Sequence, residues 1–66
     1  HNSIKDLAKT YATMKVSDIR PIIEQLDDKT VIALYNNMGS RTKKNLIQAL
    51  SDVRAAQITR KLAGNG

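Results

Sequence analysis

An all-α fold of five short helices packed as a compact spiral array is predicted by three observations. Met14, Leu26, Met38, Leu50 and Leu62 recur at intervals of twelve residues. Counting on from each of these, three further columns keep step: Ile19, Val31, Lys43 and Ala55 at the fifth position, Ile22, Leu34, Leu46 and Ile58 at the eighth, and Ile23, Tyr35, Ile47 and Thr59 at the ninth. Offsets of five, eight, nine and twelve follow the i, i+3, i+4, i+7 stripe of one helical face, so each unit reads as an amphipathic helix plus a turn. About nine helical residues rise only ~13 Å and fall below the ~12–15 at which an isolated helix is even marginal in water. The units must therefore support one another. Connections of two or three residues make sequential helices neighbours, and the columns then form a continuous apolar seam. The hand of the spiral does not follow from the spacing.

Each element has its own local signals. Ser3 is placed to cap a first helix, with Asp6 in its first turn and Ile4, Leu7, Ala8 and Tyr11 on its buried side. Lys15-Val16 is the connection, and Ser17 caps the second helix, whose core stripe is Ile19, Ile22, Ile23 and Leu26. Pro21 is tolerated only near a helix start, which fixes that start close to Ser17. Asp27 or Asp28 caps the third helix, which buries Val31, Leu34, Tyr35 and Met38, and Gly39 suits a left-handed C′ position after it. Ser40 caps the fourth, with Leu46, Ile47 and Leu50 inward. Ser51 or Asp52 caps the fifth, with Ala55, Ala56, Thr59 and Leu62 inward, Gly64 stopping it and Asn65-Gly66 left as tail. The small inner face of this helix fits either a thin edge of the core or a surface for close approach by another chain.

At 66 residues the chain is one small helical-repeat domain, residues 1–66, near the size where burial barely offsets chain entropy. That leaves no core to spare for a deep catalytic cleft. Opening on His1-Asn2 rather than Met, it reads as an excised domain or processed product of a longer chain. No apolar run approaches the ~20 residues of a membrane span. With no cysteine and its one histidine at position 1, the sequence offers no Cys-His or Ser-His-Asp set, and there is no Gly-rich phosphate loop. No catalytic, cofactor-binding or metal-ligating residue is expected. The adjacent Asp27 and Asp28 read as helix caps, since neighbouring side chains point apart and no third carboxylate follows at calcium-loop spacing.

Net charge is +5, and its distribution is uneven. Residues 1–33 balance Lys5, Lys9, Lys15, Arg20 and Lys29 against Asp6, Asp18, Glu24, Asp27 and Asp28, whereas residues 34–66 set Arg41, Lys43, Lys44, Arg54, Arg60 and Lys61 against Asp52 alone. A one-sided field of this kind favours an acidic partner. Arg41, Lys43 and Lys44 also crowd the first turn of the fourth helix, where the helix dipole disfavours each cation by ~0.3–1 kcal/mol at low ionic strength. Lys43 stands in a column otherwise held by Ile19, Val31 and Ala55. Such local violations tend to mark functional positions, although a solvated lysine face with the Lys43 stem lying over the core accounts for the same residues. On the first reading, Arg41, Lys43, Lys44 and Arg54 are the electrostatic contacts to a partner protein.

The phrase running from Met14-Lys15-Val16-Ser17-Asp18-Ile19 to Ile22-Ile23-Glu24-Gln25-Leu26-Asp27-Asp28 resembles the helical repeat of the MgtE N-terminal domain superfamily. Within it, the chain is most similar to the C-terminal domain of MotE-like flagellar proteins, over roughly residues 4–63. It departs from that pattern at Ser17-Asp18-Ile19-Arg20-Pro21, where the family usually places alanines, and at Lys43. The resemblance implies a right-handed superhelical array and a chaperone-like domain that binds and stabilises a stator-associated motility protein in the periplasm. It also implies an upstream membrane anchor and coiled coil.

Three function classes follow. The first is a non-catalytic interaction domain of the flagellar motor, periplasmic or anchored in the inner membrane and facing the periplasm. The second is the cytosolic regulatory domain of a magnesium transporter, which calls for clustered acids where this chain is basic. The third is a basic nucleic-acid-binding module; pI near 9.9 invites it, but the only aromatics are two tyrosines expected to be buried, so a stacking platform is not expected and nucleic acid is not the anticipated partner. A homodimer is compatible with the uncovered side of each terminal helix.

Overall fold

A computed structural model describes residues 3–64. The chain is all-α: α1 (Ile4–Tyr11), α2 (Val16–Ile23), α3 (Asp28–Asn36), α4 (Ser40–Ala49) and α5 (Asp52–Gly64), each beginning twelve residues after the one before. The register is also written in the backbone hydrogen bonds. Leu7, Ile19, Val31, Lys43 and Ala55 donate to the carbonyls of Ser3, Lys15, Asp27, Gly39 and Ser51 at 2.7–3.1 Å, opening each helix in the same way. Met14, Leu26, Met38 and Leu50 then donate to Tyr11, Ile23, Tyr35 and Ile47 at 3.0–3.2 Å. These four residues lie in the turns after their helices, so the twelve-residue ladder marks where each helix closes rather than the end of its stripe. Leu62 differs, standing inside the longer α5. Met38 and Leu50 are buried, and Met14, Leu26 and Leu62 pack against the core.

The caps follow the register more closely than residue type. Ser3 and Asp27 accept at their helix starts as expected, from the N–H groups of Asp6 and Thr30, and the Ser51 hydroxyl accepts from Arg54 N–H. Ser17 and Ser40 do not cap. The N-cap positions are Lys15 and Gly39, neither with a side-chain bond, so Ser17 is the second residue of α2 and Ser40 the first of α4. Gly39 is not left-handed: its φ of −77° and ψ of 170° are the extended backbone of an N-cap, and Asn37 forms the end of α3 instead. Pro21 lies inside α2, sixth of its eight residues, where the short helix forgoes one amide donor and ends two residues later.

The largest helix–helix contacts join elements two apart: α1 with α3, α2 with α4 and α3 with α5. Sequential helices were expected to be the main neighbours, but four-, four-, three- and two-residue turns bring consecutive helices together chiefly at their ends. Each face then rests on the helix before last. The resulting body has principal extents of 29 × 25 × 22 Å. Its core is Ala8, Ile19, Ile23, Val31, Leu34, Met38, Leu46, Ala49, Leu50 and Ile58, with Thr42 the one buried polar residue among those described. Several expected core positions are exposed, namely Ile4 and Leu7 of α1, Ile22 of α2, and Ala56 and Thr59 of α5. Tyr11 and Tyr35 are half-buried against the core rather than enclosed. Asn65-Gly66 and His1 lie outside the described residues.

Candidate protein-interaction surfaces

Helices this short leave a large share of their carbonyls unpaired at the C-terminal end, and those ends attract cations. Three arginines, each delivered by a distant helix, meet that need. Arg20 of α2 donates through Nε to Ala49 O at 3.3 Å and through Nη2 to Gln48 O at 3.4 Å, at the end of α4. Arg41 of α4 donates through Nη2 to Ala12 O at 3.1 Å, just past α1. Arg54 of α5 is the most engaged, with Nη1 donating to Ile23 O at 2.7 Å and Nη2 to Leu26 O beyond α2. A planar fork with five donors suits a fan of carbonyls as a lysine ammonium does not.

Arg54 also forms an ion pair across the fold. Its Nε and Nη2 lie 3.0 and 2.9 Å from Asp28 Oδ1, while Lys61 Nζ lies 2.9 Å from Asp28 Oδ2. Asp28 is thereby the first-turn acid of α3 and the anchor of α5. Lys61 first, then Arg54, hold its carboxyl below the ordinary value by hydrogen bonding to the ionised form. The neighbouring Asp27 is also lowered, chiefly by the Thr30 hydroxyl, which donates to Oδ1 at 2.6 Å. An open depression lined by Asp28, Gln57, Arg60, Lys61, Ala63 and Gly64 lies beside the ion pair. Among the described residues, no three His, Cys, Asp or Glu side chains cluster as metal ligands, and no helix is long and apolar enough to cross a membrane.

The four cations singled out from the sequence therefore have different surroundings. Arg54, with 18% of its side chain exposed, is bound within the fold. Arg41 is exposed but bridges α4 to α1. Lys43 is half-buried, with Nζ 5.1 Å from the centroid of the Tyr35 ring, close enough for a cation–π contact. Lys44 is exposed and makes no hydrogen bond or ion pair among the described residues. Arg41, Lys43 and Lys44 all belong to the start of α4, the only helix with no acid in its first turn; the other four have Asp6, Asp18, Asp28 and Asp52.

The lopsided charge seen along the chain is partly evened out in space, because Arg54 and Lys61 of the basic half share Asp28 of the neutral half. Sequence reasoning missed the Arg20 anchor and the role of Asp28. A signal for Arg54 was present, since it interrupts a repeat position otherwise filled by the short side chains Asp6, Asp18, Thr30 and Thr42. Compared with protein-family models, curated proteins and solved structures, the chain matches none.

Proposed function

We propose that this domain is a non-catalytic protein-interaction module of a flagellar motor accessory protein, acting as a chaperone that binds and stabilises a stator-associated motility protein in the periplasm. The motor assignment rests on the sequence resemblance to MotE-like domains. Packing between alternate helices suits the superhelical array which that resemblance implies, with a right-handed sense. The observation that carries partner binding is the unbalanced start of α4. Three cations stand there without a first-turn acid, at a cost to the helix, and Lys44 has no intramolecular partner to offset it. An acidic client surface supplies the missing counter-charge, and the long-range part of such an attraction speeds association while being screened by salt.

Titrating the purified domain against the periplasmic stator-associated protein by calorimetry tests this reading. Lys44→Glu leaves every hydrogen bond described above in place and is expected to weaken binding by ~10-fold, with wild-type affinity falling as salt rises. Wild-type binding that ignores both the charge reversal and the salt removes α4 as the client surface. Absence of binding removes the motor assignment.

A further inference from the structure

The repeat register identifies which apolar side chains lack a neighbour. Only α3, α4 and α5 have a helix two places earlier to rest on. The Ile22 column divides at that point: Leu34, Leu46 and Ile58 are 2% exposed or less, whereas Ile22 is 38% exposed. The neighbouring column behaves likewise, with Ile19 and Val31 fully buried and Leu7, their equivalent in α1, 41% exposed. Ile4, one turn before Leu7, is exposed as well, so the first two helices hold three of the four exposed large apolar side chains among the described residues.

The other end of the stack is finished differently. The position filled by buried Ala8 in α1 and half-buried Ile32 in α3 is occupied at the end by Lys44 in α4 and Ala56 in α5, both exposed. Small and charged groups on a terminal unit are what keeps a repeat array from growing.

We infer that the uncapped α1–α2 face pairs with the same face of a second copy of this chain about a two-fold axis. A helix laid over Leu7 and Ile22 continues the stacking by which α1 covers α3 and α2 covers α4. The capped α4–α5 end blocks head-to-tail addition, so the assembly closes as a dimer. Charge points the same way. The chain carries +5, yet residues 1–33 sum to zero. The exposed charges of α1, α2 and the turn between them have both signs, Lys5, Lys9 and Lys15 with Asp6, Asp18 and Glu24, and none forms an ion pair among the described residues. Two such faces meet without net repulsion, whereas contact through α4 and α5 opposes like charges.

Sedimentation equilibrium of the wild-type domain from ~10 µM to ~1 mM covers the affinity range expected of so small an apolar face. The apparent mass is expected to rise with concentration from 7.3 kDa towards twice that value and no further. The Leu7→Lys/Ile22→Lys variant alters only exposed side chains, is expected to keep the wild-type circular dichroism spectrum, and is expected to associate at least ~30-fold more weakly. Val53→Lys, at the 71% exposed apolar residue of α5, is expected to associate like wild type. A wild-type monomer throughout, growth beyond a dimer, or association that survives the double substitution would each overturn the pairing. Loss of pairing with client binding intact, or the reverse, separates this inference from the client surface on α4.

Discussion

Arg54 and Asp28, twenty-six positions apart in sequence, share Asp28 Oδ1 with both Nε and Nη2 of the guanidinium at 3.0 and 2.9 Å. The same guanidinium reaches the carbonyls of Ile23 and Leu26, so one side chain joins α5 to the end of α2 and the start of α3. Shortening it to Arg54→Ala leaves those acceptors unpaired and should cost about 2–3 kcal/mol, read as a lower urea midpoint at unchanged slope. Arg54→Lys should restore little of this, because one ammonium cannot span acceptors spread over that fan.

Asp28 makes the stability of the fold depend on pH at the acid end. Its folded pKa is depressed below the unfolded value of ~3.9, so its contribution is complete above that value and is lost as pH falls through the folded one. Asp27 acts in the same direction through Thr30. Thermal melts between pH 7 and pH 2 should therefore show stability falling below about pH 4. Asp28→Asn should flatten that decline, and an unaltered acid limb in the variant would contradict the assignment.

Gly39 offers a stabilising substitution. Its backbone is ordinary extended N-cap geometry, and a Cβ there meets nothing within 4 Å. Gly39→Asp adds a capping carboxylate to a helix start that has cations and no acid, and it restricts the unfolded chain. A gain of about 0.5–1 kcal/mol is expected, visible as a higher melting temperature.

Leu46 and Ile22 occupy the same repeat column with opposite surroundings, fully buried against 38% exposed. Leu46→Ala should cost about 2–5 kcal/mol, a large part of the stability of a domain this small. Ile22→Ala should cost under ~1 kcal/mol. Denaturant titration of both variants at a concentration where the chain is monomeric makes the comparison, and equal losses would show that the ends of the stack are no less covered than its middle.

Much of this architecture was legible in the sequence because its cause is local. The twelve-residue phrase sets where every helix begins, since a short amphipathic stripe followed by a turn repeats its backbone hydrogen bonds whenever the pattern repeats. Val31, Leu34 and Leu46 were legible as core for the same reason. Cap identity was less so: Ser17 and Ser40 have strong capping preferences, but the array's register takes Lys15 and Gly39 instead. Tertiary packing here overrides a preference of about 1 kcal/mol.

The sequence by itself determined the number, spacing and inward columns of the helices, because periodicity is a property of one chain segment at a time. Only the tertiary structure decided which columns are covered, since coverage of Ile22 or Leu7 depends on a helix two places away being there to supply it. It also decided the fate of the charges. Arg20, Arg41 and Arg54 look alike along the chain, and their different acceptors are carbonyls and a carboxylate that folding brings within 3.4 Å from 26 to 31 positions away.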